Sequence, residues 1–456
     1  MSPNGRATPV RHLTMVDAVC IVVGIVVGAA IFSAPRLVAL NTGSGGLMLL
    51  AWAAGGFLCL CGALCYAELA AAYPQVGGEY VYLARSFGGA TGFLFVWGRA
   101  TVIQTGSIAA LAYIFGDYAS RLLPPGSAPP VACALAATVG LTAANAIGLR
   151  AGKWTQNVLT AAKVAGVLGI VVAACLAKPA AAAPPAAAPT APSGSAAAFG
   201  LAMVFVLYTF GGWNEAAYVA GEVRDPRRNM LRVLVASVVL LTALYVAVNL
   251  AYLRLLGLAG VQGSAAVAAD AMHRAVGGWG RVAISVLVAA SALGAMNGCI
   301  FTGARAICAL GRDHPPLRAL SRWHGRLGTP VNAILGQSAI AVALILLPGL
   351  HPVLSKALGS GFEAAVEYTA PVFWAFLLLT GAAVVVLRAR HPAVDRPFRV
   401  PLYPATVVVF CLMCAHMLYS SLAYTKAGAL VGVGILLLGV PLYMLCRRRG
   451  PAATGC

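Results

Sequence analysis

The sequence predicts an all-α polytopic membrane protein. It has twelve transmembrane helices: two inverted repeats of five, with helices 1 and 6 discontinuous, plus two peripheral helices. Three observations predict this. The 456 residues are 61% hydrophobic and only 9% charged, with a mean hydropathy of +0.87; a soluble domain is about a quarter charged. The apolar residues fall in runs long enough to cross a bilayer core, which takes about 20 residues. Two of these runs, five spans apart, are interrupted at Gly28-Ala29-Ala30 and at Gly211-Gly212.

Taken in order, the first span covers 15–38 and the second 46–72. The third is long, 89–120; the fourth covers 130–148 and the fifth 157–176. These make a first repeat over 15–176. An Ala/Pro-rich linker, 177–197, follows on the outside, extended or disordered by composition. The sixth span, 198–220, opens the second repeat, which runs to 387 through spans at 231–254, 279–304, 331–348 and 363–387. The peripheral spans are 402–424 and 428–446. The whole chain is one transmembrane domain. The short polar start is followed by no small-residue cleavage site, so the first run reads as a span and not a removed signal.

The net charge of +19 does not imply nucleic acid, because the cations sit in short loops between apolar runs. With both termini in the cytoplasm, the inside loops carry Arg150 and Lys153, Arg224 to Arg232, Arg305 to Arg326, Arg388 to Arg399 and the Arg447 to Arg449 tail. They outnumber the outside cations about three to one. The expected location is therefore the cell membrane, multi-pass. The 12 cysteines fall mostly inside apolar runs and read as small buried hydrophobes. No nucleophile, phosphate-loop or metal-ligand pattern is present, so neither an enzyme nor a cofactor or metal protein is expected.

The two breaks carry the chemistry. An odd offset of five spans starts the second unit from the opposite side, which is the signature of an inverted repeat. Unwound backbone at membrane depth is tolerated only where it is buried or lines a cavity. Half-helices leave free N–H groups at one end and free C=O groups at the other. Such a pair suits a ligand with a carboxylate and an ammonium on one carbon, an α-amino acid. Tight packing of small residues would explain Gly24 and Gly28 alone, but not Gly-Gly-Trp-Asn-Glu at 211–215.

At these residues the chain resembles the amino acid–polyamine–organocation superfamily, and most of all its L-amino acid transporter branch and bacterial relatives. GAAIFSAP (Gly28 to Pro35) resembles that branch's GSGIF-x-x-P, and YTFGGWNEAAYVAGEVRDPRRN its FAYGGWN…EE-x-x-P-x-RN. The segments Tyr66 to Gly88, Asn157 to Val172 and Asn297 to Leu317 resemble further family stretches in the same order. The resemblance implies the LeuT-like arrangement of ten core helices. It implies that the substrate carboxylate meets N–H groups at Gly28, Ala29 and Ala30, with Ile31 also among the substrate-binding residues. The ammonium would meet carbonyls at Val26, Tyr208 and Gly211. Tyr208 falls at the family's aromatic gate, Asn214 at its asparagine past the unwound turn, and Gly212 and Trp213 in the same motif. GAA stands where the branch has GSG, so the methyl of Ala30 narrows the pocket or limits how closely the backbone approaches the carboxylate.

Charges inside the spans remain to be placed. Lys163 in the fifth span either snorkels to the headgroups or sits between spans 1, 5 and 8 in place of the Na⁺ that sodium-coupled relatives of the fold hold there. A fixed charge there excludes Na⁺, and a desolvated lysine can exchange a proton. Glu215 either draws a cationic side chain or pairs with Arg99 of span 3. Glu363 and Glu367, one turn apart on span 10, tune the outer gate, carry protons or line a wet vestibule. Glu68 and Glu79 read as inner-gate ion pairs with Arg85 and the Arg224–Arg228 patch. Asn145, Gln104 and Asn297 read as helix-to-helix hydrogen bonders.

The function expected is secondary active transport of L-α-amino acids, neutral ones favoured, sodium-independent, by exchange or proton symport with alternating access. The alternatives are a polyamine or cationic amino acid carrier on the same fold, and an amino-acid sensor. Partners are the substrate and the lipid bilayer. Animal members of the branch pair by disulfide with a single-span glycoprotein through a Cys after span 3. The loop SRLLPPGSAPP has none, so no such subunit is expected, and the protein reads as a monomer or weak oligomer.

Overall fold

The first helix begins where its cap dictates. Thr14 Oγ1 accepts from the Asp17 N–H at 3.2 Å while Asp17 Oδ2 accepts from the Thr14 N–H at 2.9 Å, a reciprocal capping box. In the computed structural model, which describes residues 12–124, 127–177, 196–264, 266–350 and 362–448, this opens α1 (Met15–Val26). The chain then turns through 54° into α2 (Ala30–Thr42). Gly43, in the left-handed region at φ 67°, ends α2, and Ser44 caps α3 (Gly45–Ala72).

The short amphipathic α4 (Glu79–Phe87) leads to α5 (Gly89–Gly98), a π turn at Arg99–Ile103 and α6 (Gln104–Leu122). Next come α7 (Pro130–Ile147) and α8 (Leu149–Leu176). The expected linker falls largely outside the described residues. The chain resumes with α9 (Ala196–Thr209), a second break, and a 3₁₀ segment at Trp213–Glu222. Then follow α10 (Pro226–Gly263), α11 (Val267–Val276), α12 (Gly278–Asp313), α13 (Val331–Leu350), α14 (Phe362–Arg390), α15 (Ala405–Leu437) and α16 (Gly439–Arg448).

Among the described residues, eight helical segments are long and apolar enough to cross a membrane, and the bent pair α1/α2 makes a ninth. The third and sixth expected spans are helical but interrupted, one by a π turn and one by the break that ends α9; of the ninth, α13, the stretch Val331–Leu346 counts as a shorter apolar helix. On either side of the expected boundary at 424–428, Ala405–Ala423 and Leu430–Arg447 are each long and apolar enough to cross a membrane, and the side chains between them lie outside the described residues.

α12 is the centre of the bundle, with 78% of its apolar window buried. Around it the two breaks lie side by side: α2 packs on α9, and α1 packs on the 3₁₀ segment. A parallel backbone bridge ties the latter pair. The Leu13 N–H donates to Glu222 O at 3.0 Å and the Arg224 N–H to Leu13 O at 2.9 Å.

Candidate functional site

Both breaks open on one cavity of about 160 Å³. Gly28, Ala29 and Ala30 line it from the first break, and Tyr208, Gly211 and Gly212 from the second. Gln104, Ser107 and Thr369 add polar groups; Phe373 and Trp374 of α14 form an aromatic wall. Ala29, the N-cap of α2, makes no side-chain cap bond. The first-turn N–H groups of a helix have no partner within it, so α2 presents uncapped donors to the cavity. At the second break Gly212 adopts φ 106°, and a Cβ there would stand 2.8 Å from Ile25 Cγ2. Only glycine fits that backbone so close to α1.

Part of the expected backbone is already engaged. The Val26 carbonyl lines the cavity but accepts from the Tyr245 hydroxyl at 2.8 Å and from the Gly28 N–H at 2.7 Å, so its lone pairs and the Gly28 donor are spent. The Tyr208 carbonyl accepts from the Gly211 N–H at 3.0 Å. Ile31 is fully buried behind the turn. Asn214 does not line the cavity: its amide donates to Glu79 Oε1 at 2.6 Å. Trp213 is likewise buried, edge-on against Tyr66 and Phe410. The 3₁₀ winding after Gly212 turns both side chains away from the cavity. Glu363 and Glu367 lie on α14, and their side chains fall outside the described residues.

Lys163 is fully buried and does not snorkel. Its ammonium donates to three carbonyls: Gly24 at 2.6 Å and Val27 at 3.0 Å around the first break, and Ser291 of α12 at 2.9 Å. It therefore bridges α8, α1 and α12 in the place weighed for a bound cation. Gly294 makes the room, since a Cβ there would meet Lys163 Nζ at 2.9 Å.

Glu215 does border the cavity, but its charge is answered. Both its oxygens accept from Arg99 Nη2, at 2.8 and 2.6 Å, and Thr302 donates to it as well. The Arg99 guanidinium lies 3.7 Å above the Tyr218 ring and donates to its hydroxyl. This pair ties the π turn of the third span to the 3₁₀ segment, and such turns recur at functional sites. A second buried pair, Arg305 with Glu222 at 2.9 Å, was not foreseen. No spacing rule links α12 to that segment; only the fold brings them together.

The expected partners of Glu68 and Glu79 are corrected. Glu68 accepts from Arg388 and from the Val400 N–H, and Arg85 lies over the Tyr73 ring instead. Arg227 pairs with Asp395 at the surface. Glu79 is held by Tyr66 and Asn214. Asn145 bonds Asn297, and Gln104 bonds the Cys299 carbonyl, both from helix to helix. Among the described residues no group of His, Cys, Asp or Glu is arranged to hold a metal.

Comparison with known proteins places this cavity in context. The b(0,+)-type amino acid transporter 1 of Mus musculus is 31% identical over 406 residues, covering 88% of this chain and 80% of the relative. The large neutral amino acids transporter small subunit 2 of Homo sapiens is 30% identical over 453 residues, covering 97% and 82%. The cystine/glutamate transporter of Homo sapiens is 30% identical over 446 residues, covering 95% and 85%. The family profile described as amino acid permease matches residues 13–438, from the capping box of α1 to the end of α15, so both broken helices and the cavity between them fall inside it. The chain belongs to the amino acid permease family.

Proposed function

We propose that the protein is a secondary active transporter of L-α-amino acids, neutral ones favoured, working by alternating access through twelve spans in the plasma membrane with both termini cytoplasmic. The observation that carries the reading is the facing of the two breaks across one cavity, with uncapped N–H groups of α2 on one side and bent carbonyl backbone of α9 on the other. The α-carboxylate then meets the N–H groups of Ala29 and Ala30. The α-ammonium meets the Tyr208 and Gly211 carbonyls, with Val26 left to hold the turn together. The substrate's side chain lies toward Gln104, Ser107, Phe373 and Trp374. Glu215, neutralised by Arg99, favours an uncharged side chain over a polyamine.

Lys163 supports sodium independence. Its ammonium occupies the carbonyl cage that would otherwise suit a monovalent cation, and it holds the first break in shape. Transport then runs by exchange or with protons. Uptake of radiolabelled amino acids into proteoliposomes tests this. The expected result is saturable uptake unaffected by replacing Na⁺ with choline. Strict dependence on a Na⁺ gradient would overturn the ion assignment, and uptake of putrescine but not of amino acids would overturn the substrate class.

No disulfide-linked heavy subunit is proposed. Residues 122–130 contain no cysteine, and Cys133 is buried in α7.

A further inference from the structure

Five carboxylates with described side chains are buried: Asp17, Glu68, Glu79, Glu215 and Glu222. Four have a cation: Lys153 for Asp17, Arg388 and Arg396 for Glu68, Arg99 for Glu215 and Arg305 for Glu222. Glu79 has none within ion-pair distance among the described residues. Its Oε1 accepts from two neutral donors instead, the Tyr66 hydroxyl and Asn214 Nδ2, both at 2.6 Å. Asn214 Oδ1, beside it, is buried with no partner. A buried carboxylate without a cation is costly in its charged form and far less so when protonated.

The groups facing Glu79 come from every side. They are Tyr66 of α3, Arg99 of the π turn, Glu215 and Tyr218 of the 3₁₀ segment, Tyr82 of α4 itself and Cys414 of α15. Arg99 is the cation whose charge acts on Glu79, and both oxygens of Glu215 already claim it. Burial pushes the Glu79 carboxyl above the usual carboxylate range. The Tyr66 hydroxyl, Arg99 and Asn214 pull the other way without cancelling this, and Glu215 adds to the rise. α4 lies between the second and third spans; Glu79 is buried in its first turn, and its last residue, Phe87, is exposed.

We propose that Glu79 is a proton-binding site, distinct from Lys163, which takes up one proton from the water that α4 borders and returns it during the cycle. The proton adds to a carboxylate oxygen, the group becomes neutral, and release to water restores the charge. The protonation stands by itself; its use in transport rests on the function proposed above. Charged Glu79 pins Asn214, just past the second break, to α3 and α4 through charge-assisted bonds, which are about twice as strong as neutral ones. Protonation weakens the pin. A polar chain then reaches the cavity: Tyr218 stands beside Glu79, Arg99 donates to its hydroxyl at 3.0 Å, and Arg99 holds Glu215 at the cavity wall.

The test is pH-difference infrared spectroscopy of the purified protein in lipid without substrate, followed by uptake. Acidification is expected to raise a carboxylic-acid C=O band that Glu79→Gln loses. Tyr66→Phe removes a donor that favours the charged form, so the band's midpoint is expected to move to higher pH. This second variant keeps the test decisive if Glu79→Gln folds poorly. The pH dependence of uptake on the α4 side is expected to flatten in Glu79→Gln and to return in Glu79→Asp. A band unchanged in Glu79→Gln, or unmoved by Tyr66→Phe, overturns the site. An uptake profile in Glu79→Gln that follows the wild type overturns its role in transport. Loss of the band in a protein that moves no amino acid would uphold the proton site and sink the transport reading instead.

Discussion

Removing the amine of Lys163 leaves three carbonyl oxygens, from Gly24, Val27 and Ser291, aimed at one point. Each buried acceptor left unmade costs about 1–3 kcal/mol, so Lys163→Ala is expected to unfold at lower temperature and to lose most uptake. Carbonyl clusters also coordinate hard cations. The variant is therefore expected to gain a thermal shift with NaCl that choline chloride does not reproduce, while the wild type shows none. A variant indifferent to Na⁺ would mean that the lysine is a brace and no stand-in for an ion. At this scale the sequence was informative wherever a residue broke a local rule. A lysine inside an apolar run and a glutamate after two glycines both point inward, because lipid would penalise them. Which partner each finds was legible for Glu215 with Arg99 and not for Glu79. The choice among neutral donors and distant arginines depends on how α3, α4 and the 3₁₀ segment pack, which no periodicity encodes.

The second break rests on one backbone conformation. At φ 106° with Ile25 Cγ2 close by, Gly212 has no room for a methyl. Gly212→Ala is expected to cost about 1–3 kcal/mol in strain, read as a lower unfolding temperature in detergent, and to lower uptake more than Gly211→Ala. At Gly211 the φ is not left-handed, and a Cβ meets only the Tyr208 carbonyl, at 3.0 Å. Equal effects at the two glycines would locate the sensitivity in helix length and not in the turn. The existence of both breaks was legible in Gly28-Ala29-Ala30 and Gly211-Gly212. The side chains after the second break were misplaced: a continuing α-helix would turn Asn214 toward the substrate, whereas 3₁₀ winding turns it to Glu79. The π turn at Arg99–Ile103 left no mark in the sequence, for its residues suit an α-helix equally well.

Across the whole molecule, the long apolar runs were enough to outline the helices, since a bilayer core asks for about 20 apolar residues in each span. Packing of α2 on α9 and of α1 on the 3₁₀ segment was never visible in either half alone. The backbone bridge from Leu13 to Val223 has a mechanical consequence. Its two bonds, at 3.0 and 2.9 Å, join the entry of α1 to the exit of the 3₁₀ segment, and the buried Glu222–Arg305 pair anchors that exit to α12. Under the function proposed above, two half-helices from distant parts of the chain would swing as one lever, so that the two proposed grips on the ligand keep their registry. A disulfide between Leu13→Cys and Val223→Cys is accordingly expected to leave turnover unchanged, measured before and after reduction. Arrest on oxidation would show that the two arms must part.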